Sequence, residues 1–166
     1  MKAVLERRSI RKYTDQKITD EQIQLLLKAA FAAPSAGNKQ SWHFIIVDGR
    51  ETLNRLADAS PNASMLKNAS HAIVVCGDTS AEFYPEYFVQ DCSAAAENIL
   101  ITATDLGLGS VWLGVYPKMD RVEKIVQIMN TPEGIVPLCM ISLGYPAESR
   151  EPSNRYDEKK VHYNKW

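Results

Sequence analysis

The stretch from Phe88 to Leu106 constrains this chain more than any other. Phe88, Cys92, Ala95, Ala96, Ile99, Leu100, Ala103 and Leu106 recur at helical spacing and give a wide apolar face. Pro85 stands where a long helix would start, and Gly107 and Gly109 stop it. At ~1.5 Å per residue, such a helix spans roughly 30 Å, about the width of a domain. With so many alanines it can be approached closely by a second helix. It is therefore expected to be a central pillar, and is a candidate for the seam between two copies. Gln90, Asp91, Glu97, Asn98 and Asp105 interrupt the run, which makes it a poor membrane span.

Around the pillar the elements follow in a simple order. Residues 2–8 read as a short helix ending in a basic run, and residues 9–18 as extended chain. Thr19-Asp20-Glu21-Gln22 is a capping box, with its acidic pair well placed for the helix dipole. Ile23, Leu26, Leu27, Ala30 and Phe31 then share one helical face, and Pro34 ends that helix. Strands are expected over 42–48, 71–77, 110–116 and 135–143, and helices over 51–59 and 119–129. Residues 60–70 should be irregular or barely helical. No repeat or linker divides the chain, so 1–166 reads as one domain, of a size that can bury a substantial core. Residues 147–166 read as an extended tail. Because that tail ends with Tyr163 and Trp166, it is expected to pack on its own domain or on a neighbouring copy.

Several function classes are set aside on the same evidence. The net charge of −1 argues against a dedicated nucleic-acid or anionic-membrane binder. Cys76, Cys92 and Cys139 are far apart with no CxxC spacing. They read as reduced thiols, which suits a cytoplasmic protein without a signal peptide. His43, His71 and His162 stand alone, so no metal site is expected. Gly107-Leu108-Gly109 runs from helix into strand, the reverse of a Rossmann loop. Ser35 and His43 could be imagined as nucleophile and base, but no GxSxG elbow surrounds Ser35.

Two polar segments remain that are poor core material. In 7–13 (RRSIRKY), extended chain would point Arg7, Ser9 and Arg11 to one side. Arg8 would face away from them in a strand, and would share their side if the first helix were still turning. Planar guanidinium forks match phosphate oxygens in a way that lysine does not. In 34–42 (PSAGNKQSW), a helix stop is followed by small residues through which backbone can approach a ligand, with Asn38 and Gln40 adding amides. Together the segments offer cations for a phosphate and donors for a polar heterocycle.

In order and spacing, RRSIRKY, PSAGNKQSW, LGSVWLG over 108–114, LGYP over 143–146, Arg155 and the terminal NKW resemble the nitroreductase family of flavin-dependent oxidoreductases. The resemblance implies an α+β fold: a mixed sheet of four to five strands, flanked by helices around a long central one, in an intertwined dimer. It implies tightly bound FMN at the subunit interface, NAD(P)H as co-substrate, and ping-pong transfer of a hydride to a small electron-poor acceptor such as a nitroaromatic or quinone. Residues matching Arg7, Arg8, Ser9 and Arg11 would contact the flavin, with Arg155 helping to hold its phosphate. Pro34, Ser35, Ala36 and Asn38, with Gln40 beside them, would come from the second subunit. Backbone at Trp112, Leu113 and Gly114 would approach the reactive edge of the ring, and no side chain need act as acid or base, because the cofactor carries the chemistry. Asn62 matches loosely a ring-side amide of some members. The chain departs from longer members in having Leu113 and Val115, neither acidic, beside Gly114, and in lacking a proline before Trp42. Phe83, Tyr84, Tyr87 and Phe88, within 78–90, are candidates for a lid or for core. Dehalogenation, flavin destruction or ene reduction on the same fold, a non-catalytic flavin-storage protein, and a scaffold domain with a merely solvated basic run are the competing readings.

Overall fold

A computed structural model describes residues 1–80 and 85–166. Its core is a four-stranded sheet in the order β1-β2-β4-β3. The strands are β1 (Trp42–Val47), β2 (His71–Asp78), β3 (Gly109–Gly114) and β4 (Ile135–Gly144). All three pairings are antiparallel. The expected mixed sheet is thereby corrected: the parallel element is confined to an isolated bridge between Ser9 and Ser110.

Helices cover both faces. On one side lie α2 (Asp20–Phe31) and α4 (Phe88–Asp105), whose Leu26, Ala30, Cys92, Ala95, Ala96, Ile99 and Ala103 close on Ile73, Val75, Cys139 and Ile141. On the other side α3 (Arg50–Asp58) and α5 (Met119–Met129) bring Leu53, Leu56, Val122 and Ile125 against Ala72, Val74, Cys76 and Met140. An antiparallel sheet often leaves one face wet and alternates apolar with polar residues. Here Ala72 to Cys76 are fully buried, because odd and even positions both meet helices. Alanines on α4 let α2 lie close, and the Asn98 side chain donates to the Ala29 carbonyl at 2.9 Å across that contact.

The capping box forms as expected. Gln22 N–H donates to the Thr19 hydroxyl at 3.3 Å, and Thr19 N–H donates to the Gln22 side chain at 3.1 Å. The first helix, α1 (Lys2–Glu6), stops earlier than expected: Arg7 has already left helical geometry, with ψ of 124°. The long helix begins at Phe88, after a 3-10 turn over Pro85–Tyr87. Residues 64–68 make one short 3-10 turn in an otherwise irregular stretch.

What places the site is the way residues 9–14 cross one end of the sheet. Ile10 N–H donates to the Ser110 carbonyl, Thr14 N–H to the Tyr145 carbonyl, and Ala147 N–H to the Lys12 carbonyl, each at 2.9 Å. The crossing is close enough to require two glycines. A Cβ on Gly109 would come within 2.7 Å of Ile10 Cγ2, and one on Gly144 within 2.7 Å of the Tyr13 ring. Tyr13 donates its hydroxyl proton to the Ile10 carbonyl at 2.9 Å, and burial pushes its pKa up to about 12.

After residue 148 the tail leaves this support. Tyr156, Tyr163 and Trp166 are 77%, 83% and 99% exposed, so within one chain the tail's aromatic residues are not covered. No helix among the described residues is long and apolar enough to cross a membrane.

Gly144→Ala is expected to push the Tyr13 ring off the sheet and lower stability by about 1–3 kcal/mol, the usual cost of overpacking. Urea denaturation, with the midpoint read against an unchanged slope, measures it.

Candidate functional site

Arg7, Arg8, Ser9, Arg11 and Arg155 line one cleft of about 190 Å³, joined there by Arg150. The question left open for Arg8 is answered in favour of the cleft. The chain at 7–9 is neither helix nor ladder strand, so strict alternation does not apply. Arg7 is held from below by Glu97 of α4, with Nε 3.3 Å from the carboxylate, and Arg150 pairs with Glu148 at 3.5 Å. Arg8, Arg11 and Arg155 form no ion pair among the described residues. Surplus guanidinium charge converging on one cleft makes an anion site.

Glu148 sets where Arg11 stands. Its Oε1 accepts from the backbone N–H of Arg11 at 2.7 Å and of Lys12 at 3.2 Å. The bond from Arg11 N–H is the main reason that its carboxyl titrates below the ordinary value of 4.5.

Arg11 also lines a second, larger cavity of about 460 Å³. Its walls are Trp112, Leu113 and Gly114 from β3, Ser60, Pro61, Asn62, Ser64 and Met65 from the irregular stretch, and Arg121 from α5. This wall brings Asn62 together with the 112–114 backbone, which its loose sequence match did not guarantee. It contains hydroxyls, an amide and two guanidinium groups, and among the described residues no carboxylate.

The 34–42 segment lies elsewhere. Pro34, Ser35 and Ala36 line a groove of about 430 Å³ with Tyr87, Gln90, Asp91 and Ala94, sharing no residue with the two cavities above. The backbone there is unusual: Gly37, Asn38 and Gln40 all have positive φ, 55°, 56° and 52°. For glutamine that conformation is costly and has to be held by its surroundings. Ser35 Oγ accepts from Gln40 N–H at 3.0 Å, and the Gln40 amide donates to Asn38 Oδ1 at 3.3 Å. Below them Asp91, only 6% exposed, accepts from Ala36 N–H at 2.9 Å and from the Ser41 hydroxyl at 3.5 Å. Asn38 and Gln40 stay exposed, whereas Trp42 belongs to the core at 3% exposure. Phe88 is also core, edge-on to Tyr116, while Tyr87 borders the groove. Phe83 and Tyr84 lie outside the described residues.

Sequence reasoning missed Asp91, Arg121, Arg150 and Glu148. Asp91 had a legible signal, an acid on a helix face otherwise apolar. The others became visible only once distant segments met.

Comparison with known proteins gives the family. The profile of the nitroreductase family matches residues 4–63 and 59–145. The chain belongs to the nitroreductase family. That membership places it among the oxidoreductase enzymes. It is 49% identical over 170 residues to an Archaeoglobus fulgidus protein provisionally named an NADH dehydrogenase/NAD(P)H nitroreductase, covering 100% of this chain and 98% of the other. A crystal structure from Bacteroides thetaiotaomicron, of a protein with the same provisional name, superposes with a TM-score of 0.95 at 44% identity, covering 99% and 96% of the two chains. An FMN-dependent nitroreductase from Clostridium difficile gives 0.93 at 36% identity over the whole of both chains.

Two outcomes are expected. Asp91→Ala strands the Ala36 N–H without its acceptor and costs about 1–3 kcal/mol, while Asp91→Asn, which keeps an acceptor oxygen, costs less. Faster hydrogen exchange at the Ala36 amide in the alanine variant reports it directly. Glu148, with its pKa lowered by folding, contributes stability that is present above 4.5 and lost as pH falls through the folded-state value. The Arg11 amide shift, followed by NMR in an acid titration, should therefore turn over below pH 4.5.

Proposed function

We propose that the protein is an FMN-dependent NAD(P)H oxidoreductase that reduces small electron-poor acceptors such as nitroaromatics or quinones. The observation that carries this is the position of Arg11, which borders both the arginine cleft and the larger pocket. A ligand with an anionic end and a polar heterocyclic body suits two cavities that share Arg11 as a wall. The donor set agrees with FMN: guanidinium groups for a phosphate, and hydroxyls, the Asn62 amide and β3 backbone for the ring. When bound, FMN supplies the hydride chemistry, receiving from NAD(P)H and delivering to the acceptor.

The chain's own contribution is placement. Arg8, Arg11 and Arg155 would hold the phosphate, while Arg7 is buttressed by Glu97 and Arg150 by Glu148. Ser9 and Asn62 would engage the polar parts of the flavin, and backbone at Trp112, Leu113 and Gly114 would border its ring. Among the described residues no buried acid or base borders the larger pocket, which accords with chemistry left to a cofactor. One pocket serving donor and acceptor in turn gives ping-pong kinetics.

The reading includes a homodimer. Pro34, Ser35, Ala36, Asn38 and Gln40 sit on a pre-shaped loop away from the arginine cleft, and a second copy would bring that loop to the flavin. Uncovered Tyr163 and Trp166, with Val4, Leu5 and Phe31 at 51%, 60% and 57% exposure, supply apolar surface for such an interface. Chain 1–166 then acts as a single FMN-binding domain, complete only in the pair.

Purified protein is expected to show flavin absorption that bleaches with NADH under anaerobic conditions. Replacing both Arg11 and Arg155 with alanine removes two charge-assisted contacts of about 1.5–3 kcal/mol each, so FMN affinity should fall at least a hundredfold. Flavin fluorescence titration measures the loss; unchanged affinity would refute the phosphate assignment.

A further inference from the structure

The larger pocket contains a cation that the phosphate does not need. Arg121 is in the first turn of α5, half-buried, and its Nη1 donates to the Gly114 carbonyl at 3.1 Å. That bond fixes the guanidinium against the last residue of β3, on the pocket wall rather than in the arginine cleft. One N–H is used in this way, and Arg121 forms no ion pair among the described residues. Arg11 stands on the same wall, and no carboxylate among the described residues lines it.

Such a wall discriminates between two states of one ligand. Oxidised flavin has a neutral ring; reduction by two electrons and one proton leaves the ring anionic. A fixed positive charge lowers the energy of the anionic state and does little for the neutral one. Arginine cannot relieve its own burial by losing a proton, so its charge persists whatever occupies the pocket. Resting on the FMN reading, we propose that Arg121 is a positioning residue whose charge biases the pocket toward the reduced, anionic ring and so raises the flavin's midpoint potential. The role is separate from holding the phosphate, because Arg121 does not line that cleft.

The test is an anaerobic titration of the FMN-loaded protein with dithionite against a reference dye. Dithionite supplies the electrons and water the proton. Arg121→Gln should cut the preference for the reduced ring about tenfold, a negative shift of about 30 mV for a two-electron couple. Affinity for oxidised FMN should stay within about threefold of wild type, and Arg121→Lys should keep most of the potential. Arg55→Gln, on a surface groove of α3 that shares no lining residue with this wall, should leave the potential unchanged. The proposal is overturned if Arg121→Gln has the wild-type potential. It is overturned too if the lysine and glutamine variants shift alike, or if Arg55→Gln shifts as much. Arg121→Ala repeats the comparison without the Gly114 contact; failure of both neutral variants to fold would assign the residue to the scaffold and also overturn it. Wild-type protein that takes up no FMN would defeat the functional reading first, before any variant is compared.

Discussion

The close crossing of residues 10–13 over Gly109 and Gly144 is the contact on which the candidate site depends. It buries Ile10 and half-buries Tyr13 against the ends of β3 and β4, and it forces Arg11 to emerge between them. Glu148 then fixes the backbone of Arg11 from the other side. An exposed arginine on a free N-terminal arm would be a solvated charge. Held at both flanks by packed side chains and backbone bonds, it becomes the shared boundary of two cavities. Pre-organisation of this kind is what lets charged groups bind anions without a large ordering cost.

The sheet sets the distances. Because helices press on both faces, β2 and β4 are buried along all but one end, and close packing resists displacement of β3 relative to the N-terminal crossing. The pillar α4 contributes at both ends of the problem. Glu97 props Arg7 from one face, and Asp91 holds the left-handed 36–40 loop from another. One helix thus positions two candidate binding segments that line separate cavities.

Much of this was legible in the chain itself. The long helix, the capping box at Thr19 and the four strands follow from periodicity and punctuation. Arg7, Ser9, Arg11 and Arg155 followed from residue type and from resemblance, and the structure gathers them into one cleft. The direction of the strands did not follow, since apolar runs buried on both faces carry no alternation to read, and a parallel partner was as acceptable as an antiparallel one. Trp42 was ambiguous for a similar reason, because an indole serves core and ligand surface equally well.

Sequence by itself determined which segments form helices and strands, and which side chains carry guanidinium, amide and hydroxyl groups. Those properties are local, set by residue spacing and chemistry within a turn or two. Tertiary structure decided that Arg8 joins the cleft, that Arg121 and Asn62 share a wall, and that the Pro34–Ala36 groove stands apart. Each of those is a meeting of residues tens of positions apart, and such meetings are fixed by the packing of whole layers rather than by any short pattern.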